Sequence, residues 1–210
     1  MDLWFYEHPK NERETQQLIL KENNRSRIAN DTDYYIADLE YANSDNGSRF
    51  DLVGIKWLST ATSRKKCKSP NIAMMELKYG DSAMTGAAGI VKHFQDMEKF
   101  ISTGKLGNLI LEAQTQFNQK VELGLIGKID KKIQIDTEIK PEFIILCANH
   151  KNASKVLVRE LKIATEKYNE LLSKIDVRIA MANCLGYGLY ESNMISVQEF
   201  INKNDRIGCF

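Results

Sequence analysis

Arg49-Phe-Asp-Leu-Val-Gly-Ile-Lys-Trp57 and Ile72-Ala-Met-Met-Glu-Leu-Lys-Tyr79 are the two stretches whose reading decides the fold. Both are short, apolar and rich in the residues that suit a pleated surface, so both predict strands. Each also carries charge where an ordinary strand core excludes it, since buried charges persist only when paired or bound to a metal. Glu76 and Lys78 are two residues apart and project from one face of a strand. Ile72 and Met74 share that face, which predicts burial for the pair.

Upstream, Tyr34-Tyr-Ile-Ala-Asp-Leu-Glu-Tyr-Ala42 is strand-like and aromatic, and Asn43-Ser-Asp-Asn-Gly-Ser48 is a strong turn. Asn46-Gly47 favours a hairpin. With a two-residue turn, Glu40 faces Val53 and Ala42 faces Asp51, so Glu40 and Asp51 are diagonal neighbours on one face. With a four-residue loop, Ser44–Gly47, Glu40 lies directly opposite Asp51, and a one-residue slip would separate them. Two carboxylates so close repel unless a proton or cation lies between them. Mg²⁺ takes one or two protein carboxylates and keeps several waters, so Asp51 and Glu76 are candidate ligands with Glu40 as a third. Lys78 would contact a scissile phosphate or orient water whose pKa the metal lowers.

The rest of the chain alternates. Residues 11–28 predict a helix with Asn11 as a candidate N-cap, and strands follow at 33–42, 50–58 and 72–79. Helices are expected at 88–101 and 106–123, and a buried strand at 142–148. One long amphipathic helix is expected at 154–175, then a strand at 177–185 and a short helix near 197–202. No linker or repeat divides the 210 residues, which predicts a single α/β domain.

These residues resemble the PD-(D/E)xK nuclease superfamily over roughly residues 11–150. The shared plan is a restriction-endonuclease-like core, helix, three-strand meander, helix and strand, in a central mixed β-sheet flanked by helices. The resemblance places the family's metal-binding Asp on Asp51 and its Glu-x-Lys on Glu76 and Lys78. The further acid of some members falls on Glu40, or on Glu14 or Glu22 of the first helix. Phe50 stands where many members have Pro, and neither His93 nor Gln95 fits the polar position that some carry on the following helix. The resemblance implies a Mg²⁺-dependent nuclease, Mn²⁺ substituting, with DNA the expected partner. The alternative is a catalytically inactive nucleic-acid-binding or protein-interaction module of the same fold.

Net charge is +1, so nucleic-acid binding would need a local patch. Arg64, Lys65, Lys66 and Lys68 are candidate phosphate contacts, as is His93, and solvated loop tips are the competing reading for the basic run. Gly86 and Gly89 offer backbone N–H groups to a phosphate or simply a tight connection. Cys67, Cys147, Cys184 and Cys209 show no metal spacing and read as reduced thiols of a cytoplasmic protein. No apolar run reaches membrane-spanning length and the first residues lack a signal-peptide pattern. A homodimer would supply the two sites that double-strand cleavage needs.

Overall fold

The computed structural model describes residues 2–7, 10–24, 31–44, 47–66, 69–127, 129–150, 154–182 and 186–205. Asn46, Cys67, Lys68, Cys184 and Cys209, singled out above, lie outside them. The chain is an α/β protein with one six-stranded open mixed sheet. In chain order it runs α1 (Asp2–Glu7), α2 (Asn11–Asn24), β1 (Tyr34–Ala42), β2 (Arg49–Lys56), α3 (Ala61–Lys66) and β3 (Asn71–Tyr79). The second half adds α4 (Ile90–Ser102), α5 (Leu106–Glu122), β4 (Glu142–Ala148), α6 (Lys155–Lys167), α7 (Asn169–Lys174), β5 (Asp176–Ala182), β6 (Met194–Ser196) and α8 (Val197–Asp205).

Spatial strand order equals chain order. β1, β2 and β3 form an antiparallel meander; β3, β4 and β5 are parallel, and β6 closes the edge antiparallel to β5. The parallel strands are joined through helices, as parallel connections require. They are buried on both faces: all seven residues of β4 are buried, which is why this segment reads as an unbroken apolar run. One face carries Val53, Ile72, Met74, Phe143, Ile145 and Val177, packed with side chains of α4, α5, α6 and α8. The other face carries Tyr34, Ile36, Leu52, Met75, Leu77, Ile144 and Leu146 against Ile19 of α2 and Leu189.

The hairpin takes the four-residue form. Asn43 N–H donates to the Ser48 carbonyl and Gly47 N–H to that of Asn43, both at 2.9 Å. Gly47 has φ 72°, a conformation glycine adopts without a Cβ penalty. The single helix expected over 154–175 is two helices, broken at Tyr168 (φ −116°, ψ 41°). Tyr168 is buried, its ring 6.4 Å from that of Phe94 on α4, and Leu171 on the next helix is buried too. The apolar stripe persists through the break, so periodicity alone does not reveal it. Residues 59–71, read as a loop, contain the short helix α3, and the three-residue β6 is too short to leave a period-two pattern.

Candidate active site

The regular ladder between β2 and β3 ends at Leu52 opposite Met75. Beyond it β3 keeps β4 on one side, through Tyr79 opposite Ala148. Backbone donors on the other side of β3 therefore need new partners, and two acidic side chains take that place. Leu77 N–H donates to Asp51 Oδ2 at 2.7 Å, and Tyr79 N–H reaches Glu12 Oε1 of α2 at 3.4 Å. The end of β2, the C-terminal half of β3 and the first turn of α2 thus meet at one end of the sheet. Asp51 and Glu12 line a cleft of about 480 Å³ there, with Lys10, Arg13, Gln16 and Glu40.

Asp51 is strongly perturbed. Burial raises its pKa from 3.8 to about 7, the charge of Glu76 pushes in the same direction, and Glu12 adds a smaller push. The Leu77 N–H bond and the Lys78 ammonium pull it down, and they do not win. Glu76 and Lys78 are 4% and 5% exposed, an acid and an ammonium held side by side in the strand. They lie on the face of Ile72 and Met74, turned toward α4, whereas Glu12 approaches from the α2 side. Asp51 sits at the seam between the two.

His93 of α4 stands over Glu76, with Nδ1 at 3.3 Å from Oε2. Its other nitrogen, Nε2, lies 3.0 Å from the Ala88 carbonyl oxygen. Both ring nitrogens of His93, a candidate phosphate contact in the sequence, thus have protein partners. Gly89 fixes this helix start: its N–H donates to the Gly86 carbonyl at 3.1 Å. A Cβ at Gly89 would lie 2.6 Å from the Met84 carbonyl oxygen. The two glycines make a tight connection.

Glu40 lines the same cleft as Asp51, but its carboxylate is turned to Arg13. The pairs Leu39–Leu52 and Tyr41–Phe50 bracket it opposite Asp51. Yet Leu39 and Leu52 belong to the α2-side core, while Tyr41 and Phe50 belong to the other. Alternation is therefore reset at this pair, and Glu40 has φ 51°. Its carboxylate is taken by Arg13, which donates from Nε at 3.0 Å and from Nη2 at 2.6 and 2.7 Å. Both partners of this pair are about half exposed. Of the helix acids named from the sequence, Glu14 is exposed and Glu22 lies nearly three turns from Glu12. Glu12 is the acid that sequence reasoning missed. Among the described residues, no group of three or more His, Cys, Asp or Glu side chains is arranged to hold a metal ion.

The basic run lies at the other end of the sheet. α3 follows the end of β2 remote from Asp51, where Trp57 N–H donates to the Asp33 carbonyl. Arg64 is a structural residue: its guanidinium stacks 4.6 Å from the Trp57 ring centroid. It also donates to the Thr32 carbonyl at 2.6 Å and the Leu58 carbonyl at 3.0 Å. Lys65 and Lys66 are exposed on the same short helix, beyond the far end of β2, whose Lys56 is five strand residues or about 17 Å from Asp51.

This remote end holds a second charge cluster, and the contrast is informative. Glu142, 2% exposed, accepts from Tyr34 Oη at 2.7 Å and Lys56 Nζ at 2.6 Å. Lys56 also bonds Glu191 at 2.6 Å, and Arg178 bonds Asp176 at 2.8 Å. Cations are interleaved with acids throughout. At the Asp51 end no ion pair among the described residues balances Asp51, and repulsion from Glu76 and Glu12 adds to burial in raising its pKa.

Comparison of the chain with protein-family models, with curated proteins and with solved structures finds no match. No helix among the described residues is long and apolar enough to cross a membrane.

Proposed function

We propose that this protein is a metal-dependent nuclease of PD-(D/E)xK type that hydrolyses phosphodiester bonds, with DNA the expected substrate. One observation carries the reading. Asp51 of β2 bonds the backbone N–H between Glu76 and Lys78 of β3, and its carboxyl responds to the charge of both. The residues that the sequence pattern nominated are therefore neighbours at the splayed end of the meander. The element order, a helix, three antiparallel strands, helices and a parallel fourth strand, is compatible with the core that the resemblance implies.

The donor types suit Mg²⁺ or Mn²⁺: carboxylate oxygens of Asp51 and Glu76, with the charge of Glu76 pushing the Asp51 pKa up. Asp51 and Glu76 would hold the ion, which supplies Lewis-acid charge to the phosphoryl oxygens and acidifies water. The Leu77 N–H fixes the Asp51 carboxylate, so its orientation costs nothing further at the moment of reaction. Lys78 presents a buried cation on the Glu76 face, suited to stabilising charge that grows on the phosphate or to orienting the attacking water. Glu12 adds negative charge from the α2 side, and Lys10 and Arg13 at the cleft rim add positive charge for the nucleic-acid backbone.

Incubation of the purified protein with Mg²⁺ or Mn²⁺ and single- and double-stranded DNA and RNA tests the proposal. Cleavage that disappears in Lys78→Ala, with the variant still folded by circular dichroism, is the expected result. Full cleavage by Lys78→Ala would reject the assignment of the site. Metal-independent nucleic-acid binding without cleavage would instead favour the inactive module, a reading that the Arg13–Glu40 pair supports by withholding one acid.

A further inference from the structure

We infer that Tyr79 is a stacking platform for one unpaired base, which makes single-stranded nucleic acid the substrate class of the Asp51 cleft. The inference deepens the function proposed above and rests on it for the cleavage step. Tyr79 ends β3, two residues beyond Leu77, so on the strand the two project from the same, α2-side face. The tyrosine packs against that core yet is only partly buried, and it lines the cleft of about 480 Å³ that also holds Asp51 and Glu12. Buried tyrosine hydroxyls normally find a hydrogen-bond partner, whereas Tyr79 Oη has none among the described residues. Pairing with Ala148 on one side and the N–H contact to Glu12 on the other hold the backbone from which the ring projects.

An aromatic ring backed by protein and open to a cleft offers stacking to one base and asks nothing of its identity. Inside a duplex each base is already covered on both faces by its neighbours. Extruding a paired base costs at least about as much as stacking it on an aromatic side chain returns, about 5- to 150-fold in affinity. For a duplex the exchange at best breaks even, while an unpaired nucleotide gains the contact outright. Charge points the same way. Duplex binding draws on many phosphate contacts with basic side chains, spread over about 1,000–2,500 Å² of protein. Among the described residues lining this cleft the cations are Lys10 and Arg13, and Arg13 is paired with Glu40. So sparse a set holds a few phosphates, and a base contact must supply the rest of the affinity. Asp51 lines the same cleft, so a base on Tyr79 brings its own phosphate toward the carboxylate taken above as a metal ligand.

Fluorescence anisotropy of the full-length protein with three labelled DNAs tests this: a short single strand, its duplex, and a strand of equal length built of abasic sites. Ca²⁺, which seeks oxygen ligands, is present to offset the acids of the cleft. Wild type should bind the single strand about 10-fold or more tightly than the duplex. Tyr79→Leu should weaken single-strand binding about 5- to 150-fold and leave duplex binding unchanged. The abasic strand carries the same phosphates without bases and should bind wild type as weakly as the intact strand binds Tyr79→Leu. Tyr79→Phe and Tyr79→Trp keep a ring and should restore binding, which separates stacking from the hydroxyl, and circular dichroism shows whether Tyr79→Leu is folded. Unchanged single-strand binding in Tyr79→Leu, equal binding of abasic and intact strands, a duplex bound as tightly as the single strand, or no single-strand binding overturns the inference. Tyr79-dependent binding by a protein that cleaves nothing in Mg²⁺ or Mn²⁺ would uphold the platform and reject the nuclease reading alone. Cleavage of single strands by Tyr79→Leu with wild-type affinity and rate would uphold the nuclease reading and reject the platform.

Discussion

Asp51→Asn should stabilise the metal-free protein at pH 8 while destroying its ability to be stabilised by a divalent cation. The folded protein raises the Asp51 pKa from 3.8 to about 7, chiefly through burial and secondly through Glu76. A raised pKa means that the folded state holds the proton more tightly than the unfolded chain. Stability from this proton is fully present below about pH 4, declines between pH 4 and 7, and is gone above. The full difference corresponds to about 4 kcal/mol, a ceiling that relaxation around the carboxylate lowers to about 2–4 kcal/mol. Asn does not ionise and retains an oxygen to accept the Leu77 N–H, so it removes the cost and keeps the bond. Urea unfolding in EDTA from pH 4.5 to 8.5 provides the assay. The stability difference, Asn minus Asp, should climb from at most about 1 kcal/mol at pH 4.5 to about 2–4 kcal/mol and level off above pH 7. Adding a cation at about 100 times its dissociation constant should then raise wild type by about 2.7 kcal/mol and leave the variant unmoved. A difference that does not vary with pH, or a variant weaker than wild type at pH 8, would refute the account of Asp51 as a buried, acid-crowded carboxylate.

Five further substitutions separate the roles of other charged and backbone positions. Glu40→Gln breaks a half-exposed pair with Arg13, so urea unfolding should show a loss of at most about 1 kcal/mol. Mn²⁺ affinity should stay at the wild-type value in Glu40→Gln and fall in Glu12→Gln; the reverse would restore Glu40 as the third acid. Arg64→Ala removes the Trp57 stack and two carbonyl partners and should cost about 2–3 kcal/mol on urea unfolding. The salt dependence of nucleic-acid binding should not change with it, whereas a phosphate-contacting Arg64 would lower the slope by about one. Lys56→Met strips the shortest cation contact from buried Glu142 and should destabilise by about 3 kcal/mol, read from the urea midpoint. Gly89→Ala drives a methyl into the Met84–Thr85 backbone and should cost about 1–3 kcal/mol by the same measurement.

Much of the sheet could be read from local pattern. The three antiparallel strands, the apolar run of β4 and the start of α6 at Ser154, whose Oγ accepts from Leu157 N–H at 3.3 Å, follow from period, composition and capping. The failures have physical causes. α2 turns Glu12, Thr15, Gln16, Ile19 and Asn23 inward, and only Ile19 of these is apolar, so a hydrophobic stripe does not mark the buried face. The polar members are buried because they have work to do: Asn23 bonds the Ile19 and Tyr187 carbonyls and the Leu189 N–H. Spacing from Asn23 back through Ile19 and Gln16 to Glu12 was the available signal, and it is visible only once burial of polar residues is allowed for. Glu40 misleads for a different reason. Hairpin arithmetic finds its partner correctly, but alternation of faces holds only while each residue keeps extended backbone, and Glu40 does not.

A deeper limit concerns charge itself. Local sequence shows that Asp51, Glu76 and Lys78 occupy strands, and by the same rule it shows Lys56, Glu142 and Arg178 in strands. Nothing in either pattern ranks one set above the other. Position along the sheet does. β2 runs antiparallel to β3, which carries Lys56 away from Asp51 to the end where parallel β4 and β5 bring Glu142 and Arg178. There each acid finds a cation and the cluster closes on itself. At the opposite end β2 parts from β3, acids cap the exposed donors of the strand edge, and the Asp51 carboxyl is held by a backbone N–H with its pKa raised by burial and by neighbouring acids. The candidate site is therefore better recognised by a carboxyl whose proton affinity its surroundings raise than by the residues of its motif.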